Sequence, residues 1–274
     1  MTLNLFAHGV KSKMPLDSTE LLVQVEELAK ILKSWNDQLV VGGGVALILY
    51  DLVLSKANSG AVGTTDIDYL IPRKPVKFGD EKISKLLISS GYEPKNKSLD
   101  TPAVQSFIKQ FDEVEIEVEF LTDNKSRNRE AVVAINVAGV NAQALSYIEM
   151  SLKEATLMSL PSGVKISVVK PEAWVFHKGL TFTKRTVKGK KYKDLYGIWF
   201  VLTQLNDVSF AVQKALPKLM NNNPAPWAKT FKENLNSWID SATPQDWDLL
   251  ERQDVTGKLS KSGFLATINL AVQK

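Results

Sequence analysis

With 274 residues, 44% of them hydrophobic, the chain is long enough for one large or two modest domains around a full core, and too apolar to be disordered. The absence of cysteine and the presence of two histidines exclude disulfides, a zinc site and a Cys/His nucleophile. A net charge of +4 favours polyanionic partners mildly; no run approaches about eighteen uninterrupted apolar residues and no charged-then-apolar leader opens the chain, so no membrane partner and a cytoplasmic location are expected.

Residues 1–16, His8 included, show no pattern. Asp17 and Glu20 read as a capping pair ahead of Leu21, Leu22, Val25, Leu28, Ile31, Leu32 and Trp35, a helical stripe that should cover one face of a sheet. A β-like segment at 39–41 runs into Gly42, Gly43 and Gly44, and a helix is expected over 45–54. Residues 67–71 read as an interior strand. A helix with Ile83, Leu86 and Leu87 follows, closed by Gly91. Segments near 104–109 and 114–121 read as an antiparallel pair, and 157–160 with 164–169 as a hairpin around Pro161-Ser162-Gly163. Pro171 opens a helix with Glu172 in its first turn, and no strand is expected beyond it. Trp227, Trp238 and Trp247 read as core anchors, with interhelical turns at 221–224 and 241–244. The expected architecture is α/β (α+β): a mixed sheet with flanking helices over residues 1–169, then a helical C-terminal domain over 170–274, with a substrate cleft between them.

Chemistry concentrates at three places. Glycines on a strand-to-helix turn let backbone amides approach a polyphosphate closely. Asp66 and Asp68, two apart on a strand, share a face at roughly 6–7 Å between Cα atoms, so their carboxylates can converge on a hard cation such as Mg²⁺. From Glu113 the chain alternates strictly, with Val114, Ile116, Val118 and Phe120 on one face and Glu113, Glu115, Glu117 and Glu119 on the other. Like charges along one strand face repel, and bound cations would relieve them. Lys178 and His177 lie in the apolar helix after Pro171. A lysine there needs a reason such as a phosphate partner, whereas a histidine flanked by Trp174 and Phe176 is read as a packed residue. Lys184, Arg185, Lys188, Lys190, Lys191 and Lys193 form the densest positive run, read as a helix-to-helix loop; Lys184, Lys188, Lys190 and Lys191 are either solvated or in contact with nucleic acid.

Gly42-Gly43, Thr65 and Asp66-Ile67-Asp68 resemble the signature of the polymerase-β-like nucleotidyltransferase superfamily. Many members carry Gly-Ser where this chain has Gly43-Gly44, and place the Asp pair closer; about twenty residues intervene here. The wider gap and the double glycine resemble the AbiEii-type toxin branch. Glu119-Phe120-Leu121 is similar to the family's third acid with its following hydrophobic residue and Leu, which favours Glu119 over Glu117. Lys178, Arg185 and Asp194 are similar to the third and fourth AbiEii-type motifs, so the resemblance spans roughly residues 38–202.

The resemblance implies metal ligands Asp66, Asp68 and Glu119 for Mg²⁺ or Mn²⁺, and a site for a nucleoside triphosphate, such as ATP, at Gly42, Gly43, Gly44, Thr65, Lys178 and Arg185. Catalytic roles fall to Asp66, Asp68, Glu119, Lys178 and Asp194. It implies transfer of a nucleoside monophosphate to an acceptor hydroxyl, with tRNA or another RNA as acceptor and a cognate antitoxin as partner. A small molecule or a protein hydroxyl as acceptor stays open, as do two other classes: a catalytically silent nucleotide-binding module, and a basic nucleic-acid-binding protein whose acids are structural.

Overall fold

The computed structural model describes residues 17–57, 59, 63–64, 66–76, 81–98, 101–111, 114–124 and 130–273. His8, Thr65 and Glu113 lie outside the described residues. Helix α1 (Ser18–Ile31) opens on a capping box in which the Asp17 carboxylate accepts from Thr19 N and the Glu20 carboxylate accepts from Asp17 N. Its stripe is buried at Leu21, Val25 and Leu28, and continues past the helix at Leu32 and Trp35; Leu22 and Ile31 are partly covered.

The short strand β1 (Val40–Val41) is followed by α2 (Gly43–Leu49), which passes into a π-helical turn (Tyr50–Leu54) rather than continuing as one regular helix over 45–54. Strand β2 (Asp66–Leu70), α3 (Ile83–Ser89), β3 (Glu93–Asn96), β4 (Gln105–Phe111) and β5 (Val114–Asp123) come next. Then follow the hairpin β6 (Val132–Ile135) and β7 (Val140–Leu145), α4 (Ile148–Lys153), and the hairpin β8 (Ala155–Ser159) and β9 (Lys165–Val169). Among the described residues these nine strands make one mixed sheet in the order β3-β4-β5-β2-β1-β9-β8, with β7 on the end of β5 and β6 on β7.

Three pairings place the site. Strand β2 runs antiparallel to β1, with Val41 opposite Tyr69, and parallel to β5, with Asp66 opposite Glu117 and Asp68 opposite Glu119. Strand β7 extends the sheet at the end of β5, Gln143 lying opposite Leu121. The core side of these strands is aromatic: Tyr69 stacks on Phe120 at 6.0 Å, and Phe107 meets Phe120 edge-on at 6.1 Å. Because side chains alternate along a strand, burying Ile67, Tyr69, Val118 and Phe120 on that side turns the acids to the other.

Sequence periodicity assigned no element to β3, β6, β7 or α4. All four residues of β3 are exposed, so it carries no apolar alternation, and α4 is six residues, under two turns. From Pro171 onward the described chain is helical: α5 (Pro171–Thr181), α6 (Lys188–Thr203), α7 (Asp207–Asn222), α8 (Ala225–Ser241), α9 (Pro244–Glu251) and α10 (Lys261–Gln273). Helix α6 starts at Lys188, so Lys188, Lys190 and Lys191 form its first turn and not a loop, which corrects the sequence reading. Trp238, Trp247 and Phe264 pack edge-to-face with centroids 4.8–5.7 Å apart and anchor this helical part.

Candidate active site

Four carboxylates stand on the cleft side of β2 and β5, in two registered pairs about 4.8 Å apart across the strands. Asp66, Asp68 and Glu119 line the cleft. Burial, together with Glu119 and then Asp66, pushes the Asp68 carboxyl up to about 7, with Lys178 and Arg185 pulling the other way. A group held so far above the usual carboxylate range is short of nearby positive charge.

Lys97, just past β3, pairs with two of the acids of β5, at 3.0 Å from Glu117 Oε1 and in a shorter contact with Glu119 Oε1. Burial alone would lower this ammonium, but the hydrogen bonds to Glu119 and Glu117 hold it above its usual range. Cation relief of the glutamate row is therefore in part built into the chain. Sequence reasoning missed Lys97, because nothing local ties residue 97 to residues 117 and 119.

The glycine turn fits against Asp68. Gly42 N donates to Asp68 O at 2.9 Å, so that amide belongs to the sheet, and the helix-first amides facing outward begin at Gly43. Gly43 has φ +58, and a Cβ there would lie 1.7 Å from Asp68 Oδ2. Only glycine satisfies both the backbone and the contact. A Cβ on Gly44 would meet Thr64 at 3.2 Å. From the opposite wall the Trp174 indole N–H donates to Gly43 O at 2.9 Å, bracing the turn.

That wall is cationic. Buried Asp194 on α6 accepts from both cations that the sequence singled out, Lys178 Nζ at Oδ1 and Arg185 Nε at Oδ2, each at 2.7 Å. Burial opposes ionisation of Asp194, but Lys178 and Arg185 outweigh it and hold the carboxyl below its usual range. Inside its apolar helix Lys178 is paired with Asp194, and the Trp174 ring lies 5.3 Å from its Nζ. Lys193 reaches Gly63 O at 2.8 Å, its ammonium lowered chiefly by burial. Lys190 also lines the cleft. Among the described residues the His177 ring makes one hydrogen bond, to Ser146 O at 3.1 Å, and burial followed by Lys178 depresses its pKa to about 4, so it is neutral near pH 7.

The cleft, about 240 Å³, is lined by Gly42, Gly43, Gly44, Asp66, Asp68 and Glu119 on the sheet side and by Lys178, Arg185 and Asp194 on the helical side. Residues up to 152 positions apart in sequence, Gly42 and Asp194, meet there. Gln143 and Ser151, from elements that sequence periodicity did not reveal, line it as well. Among the described residues no three acids already converge on one cation position. The donor set nevertheless suits a hard divalent ion: carboxylate oxygens only, two on one strand face, and one of them, Asp68, short of positive charge. Lys97 occupies Oε1 of Glu119, which leaves its second oxygen for a cation.

A registered acid platform and a glycine turn thus face a cationic wall across the cleft. The chain belongs to a nucleotidyltransferase family, whose match spans residues 23–220. Among solved structures it is similar to a crystal structure of an antigenic nucleotidyltransferase-like protein from Paracoccidioides brasiliensis, at 20% identity and a TM-score of 0.44, covering 80% of this chain and 95% of that one. No curated protein gives a significant match. No helix among the described residues is long and apolar enough to cross a membrane.

Proposed function

We propose that the chain transfers a nucleoside monophosphate from a nucleoside triphosphate to an acceptor hydroxyl. The acceptor oxygen attacks the α-phosphorus, the bond to the bridging oxygen of the β-phosphate breaks, and pyrophosphate leaves in line. The observation that carries this reading is the placement of Asp68, wedged against Gly43 and beside Glu119, with Lys178 and Arg185 facing it across a cleft. Asp66 and Asp68, joined by the second oxygen of Glu119, would hold Mg²⁺ or Mn²⁺. Held there, a divalent cation would supply a lower pKa for the acceptor hydroxyl and offset charge on the phosphate oxygens, and a second would make the arrangement a two-metal one.

The protein's own groups do the rest. The amides of Gly43 and Gly44 approach the phosphates where no side chain intervenes. Lys178 and Arg185, pre-positioned by Asp194, neutralise the charge that builds on the leaving pyrophosphate. Asp194 touches neither reacting atom in this reading; it is a positioning residue. Exposed Lys184 and Lys188 flank Arg185 along the chain and, with Lys190 in the cleft lining, support a polyanionic acceptor such as tRNA or another RNA, the acceptor of an AbiEii-type toxin held in check by an antitoxin.

Asp68→Asn tests the assignment. It keeps the shape of the side chain and removes a charge that the fold holds at a cost, so turnover of labelled triphosphate should fall by at least a thousandfold while the melting temperature stays level or rises. Transfer at the parent's rate would refute the role of Asp68.

A further inference from the structure

The cleft is chemically lopsided along the direction of β2. At the Asp66 end stands Lys193, bonded to Gly63 O, and the other cations of the cleft, Lys178, Arg185 and Lys190, come from α5, α6 and the segment between them. At the Leu70 end the sheet continues sideways through Leu121 to Gln143, which lie in register with it. There, among the described residues, the lining comes from Leu121 on β5, Gln143 and Leu145 on β7 and Ile148 and Ser151 on α4, none of them charged. Leu121, Leu145 and Ile148 are apolar, Gln143 and Ser151 are neutral, and nearby His177 is fixed to Ser146 O at the approach to α4.

Within that neutral end Gln143 is the chemically specific group. Its amide is half-buried, faces the cleft, and has no hydrogen-bond partner among the described residues. A side-chain amide offers one donor beside one acceptor, the pattern that pairs with the edge of a nucleobase. Its Cα lies two strand spacings and one side-chain row from Asp68, roughly 12 Å. That suits the reach of a nucleoside monophosphate whose α-phosphate sits at Asp68.

We infer that the β7–α4 end of the cleft is the nucleobase subsite, and that Gln143 hydrogen-bonds the base edge and decides which triphosphate is taken. The inference rests on the nucleotidyl-transfer reading and adds to it the direction in which the nucleotide lies. The triphosphate points to the Lys193 end, where negative charge is matched. The uncharged base lies against Leu121, Leu145 and Ile148, where apolar surface is available.

Binding, not turnover, tests it. Dissociation constants of ATP, GTP, CTP, UTP and inorganic tripolyphosphate are measured with Mg²⁺ for the parent, Gln143→Leu and Gln143→Glu, after melting curves establish that both variants fold. Gln143→Leu should narrow the spread among the four nucleotides by tenfold or more and leave tripolyphosphate within twofold of the parent. Gln143→Glu presents acceptors only, and should move preference at least tenfold towards GTP, whose guanine edge places two donors side by side. An unchanged order and spread in both variants overturns the inference, and does so too if acceptor RNA binding weakens instead, since the neutral end would then hold the acceptor. A parent that binds tripolyphosphate but shows no Gln143 effect leaves the nucleotidyl-transfer reading standing; a parent that binds neither tripolyphosphate nor any nucleotide overturns both.

Discussion

Lys97 and His177 are two residues whose weight comes from charge, with opposite logic. Lys97 satisfies Glu117 and Glu119, the second of which also neighbours Asp68. Lys97→Met should therefore lower the melting temperature at neutral pH, and Mg²⁺ should then raise it more in the variant than in the parent, since a ligand bound only by the native state stabilises in proportion to its affinity. Equal Mg²⁺-induced rises would show that Lys97 and the cation do not share those carboxylates. His177 is held neutral, with a folded pKa of about 4 against 6.5 for the free side chain. Between those values the unfolded chain takes up a proton that the native state refuses, so this contribution is complete above about pH 6.5 and is lost as pH falls towards 4, by up to about 3 kcal/mol. His177→Gln should flatten that loss. Urea midpoints at pH 7.5 and 4.5 check it as the difference between variant and parent, because Asp68, raised to about 7, contributes a slope of the opposite sign over an overlapping range.

Helices α5 and α6 form the cationic wall, and their spacing depends on a missing side chain. A Cβ on Gly197 would lie 2.5 Å from the Trp174 ring and 3.1 Å from Leu47 Cδ1. Trp174 in turn braces Gly43 O. Gly197→Ala gains about 1 kcal/mol of helix propensity, but overpacking of this kind costs about 1–3 kcal/mol, so a net loss of about 1 kcal/mol and reduced turnover are expected. Gly189→Ala in the same helix is the control, since a Cβ there meets nothing within 4 Å and should be neutral or stabilising. Equal gains from both substitutions in denaturant midpoints would sink the packing argument. The start of α6 carries the further tension of Lys188, Lys190, Lys191 and Lys193 within its first two turns, where the helix dipole disfavours cations.

At the scale of the whole molecule, sheet and helices share one contiguous core, and the cleft is the place where their polar faces meet. Contacts such as Tyr147 against Trp227 at 4.8 Å, and the Trp174 indole N–H donating to Gly43 O at 2.9 Å, tie the two parts together around it. The exposed Lys184 and Lys188 lie outside the pairs that bind Asp194. Lys184→Ala with Lys188→Ala should leave triphosphate binding unchanged and, with RNA as acceptor, flatten the dependence of log affinity on log salt by up to about two ions. Measured at several salt concentrations, an unchanged slope would mean these lysines are merely solvated and would move the acceptor towards a small molecule or a protein.

What the sequence determined by itself is what local periodicity encodes. The alternation in Asp66-Ile67-Asp68 and in the glutamate strand decides which residues share a face, the glycine run marks where a strand turns into a helix, and the proline at 171 marks where strands end. These depend on neighbours a few residues apart. Only the tertiary structure decided the register that sets Glu119 beside Asp68, the pairing of Lys97 with both glutamates, the capture of Lys178 and Arg185 by one buried Asp194, and the neutral wall with Gln143. Each of these joins segments separated by about twenty residues or more, except the pairs of Asp194, whose partners Lys178 and Arg185 lie 16 and nine residues before it across a turn whose geometry the chain sets only on packing. Charge partners and strand registers are chosen by burial across the whole core, and no local window of sequence contains that competition.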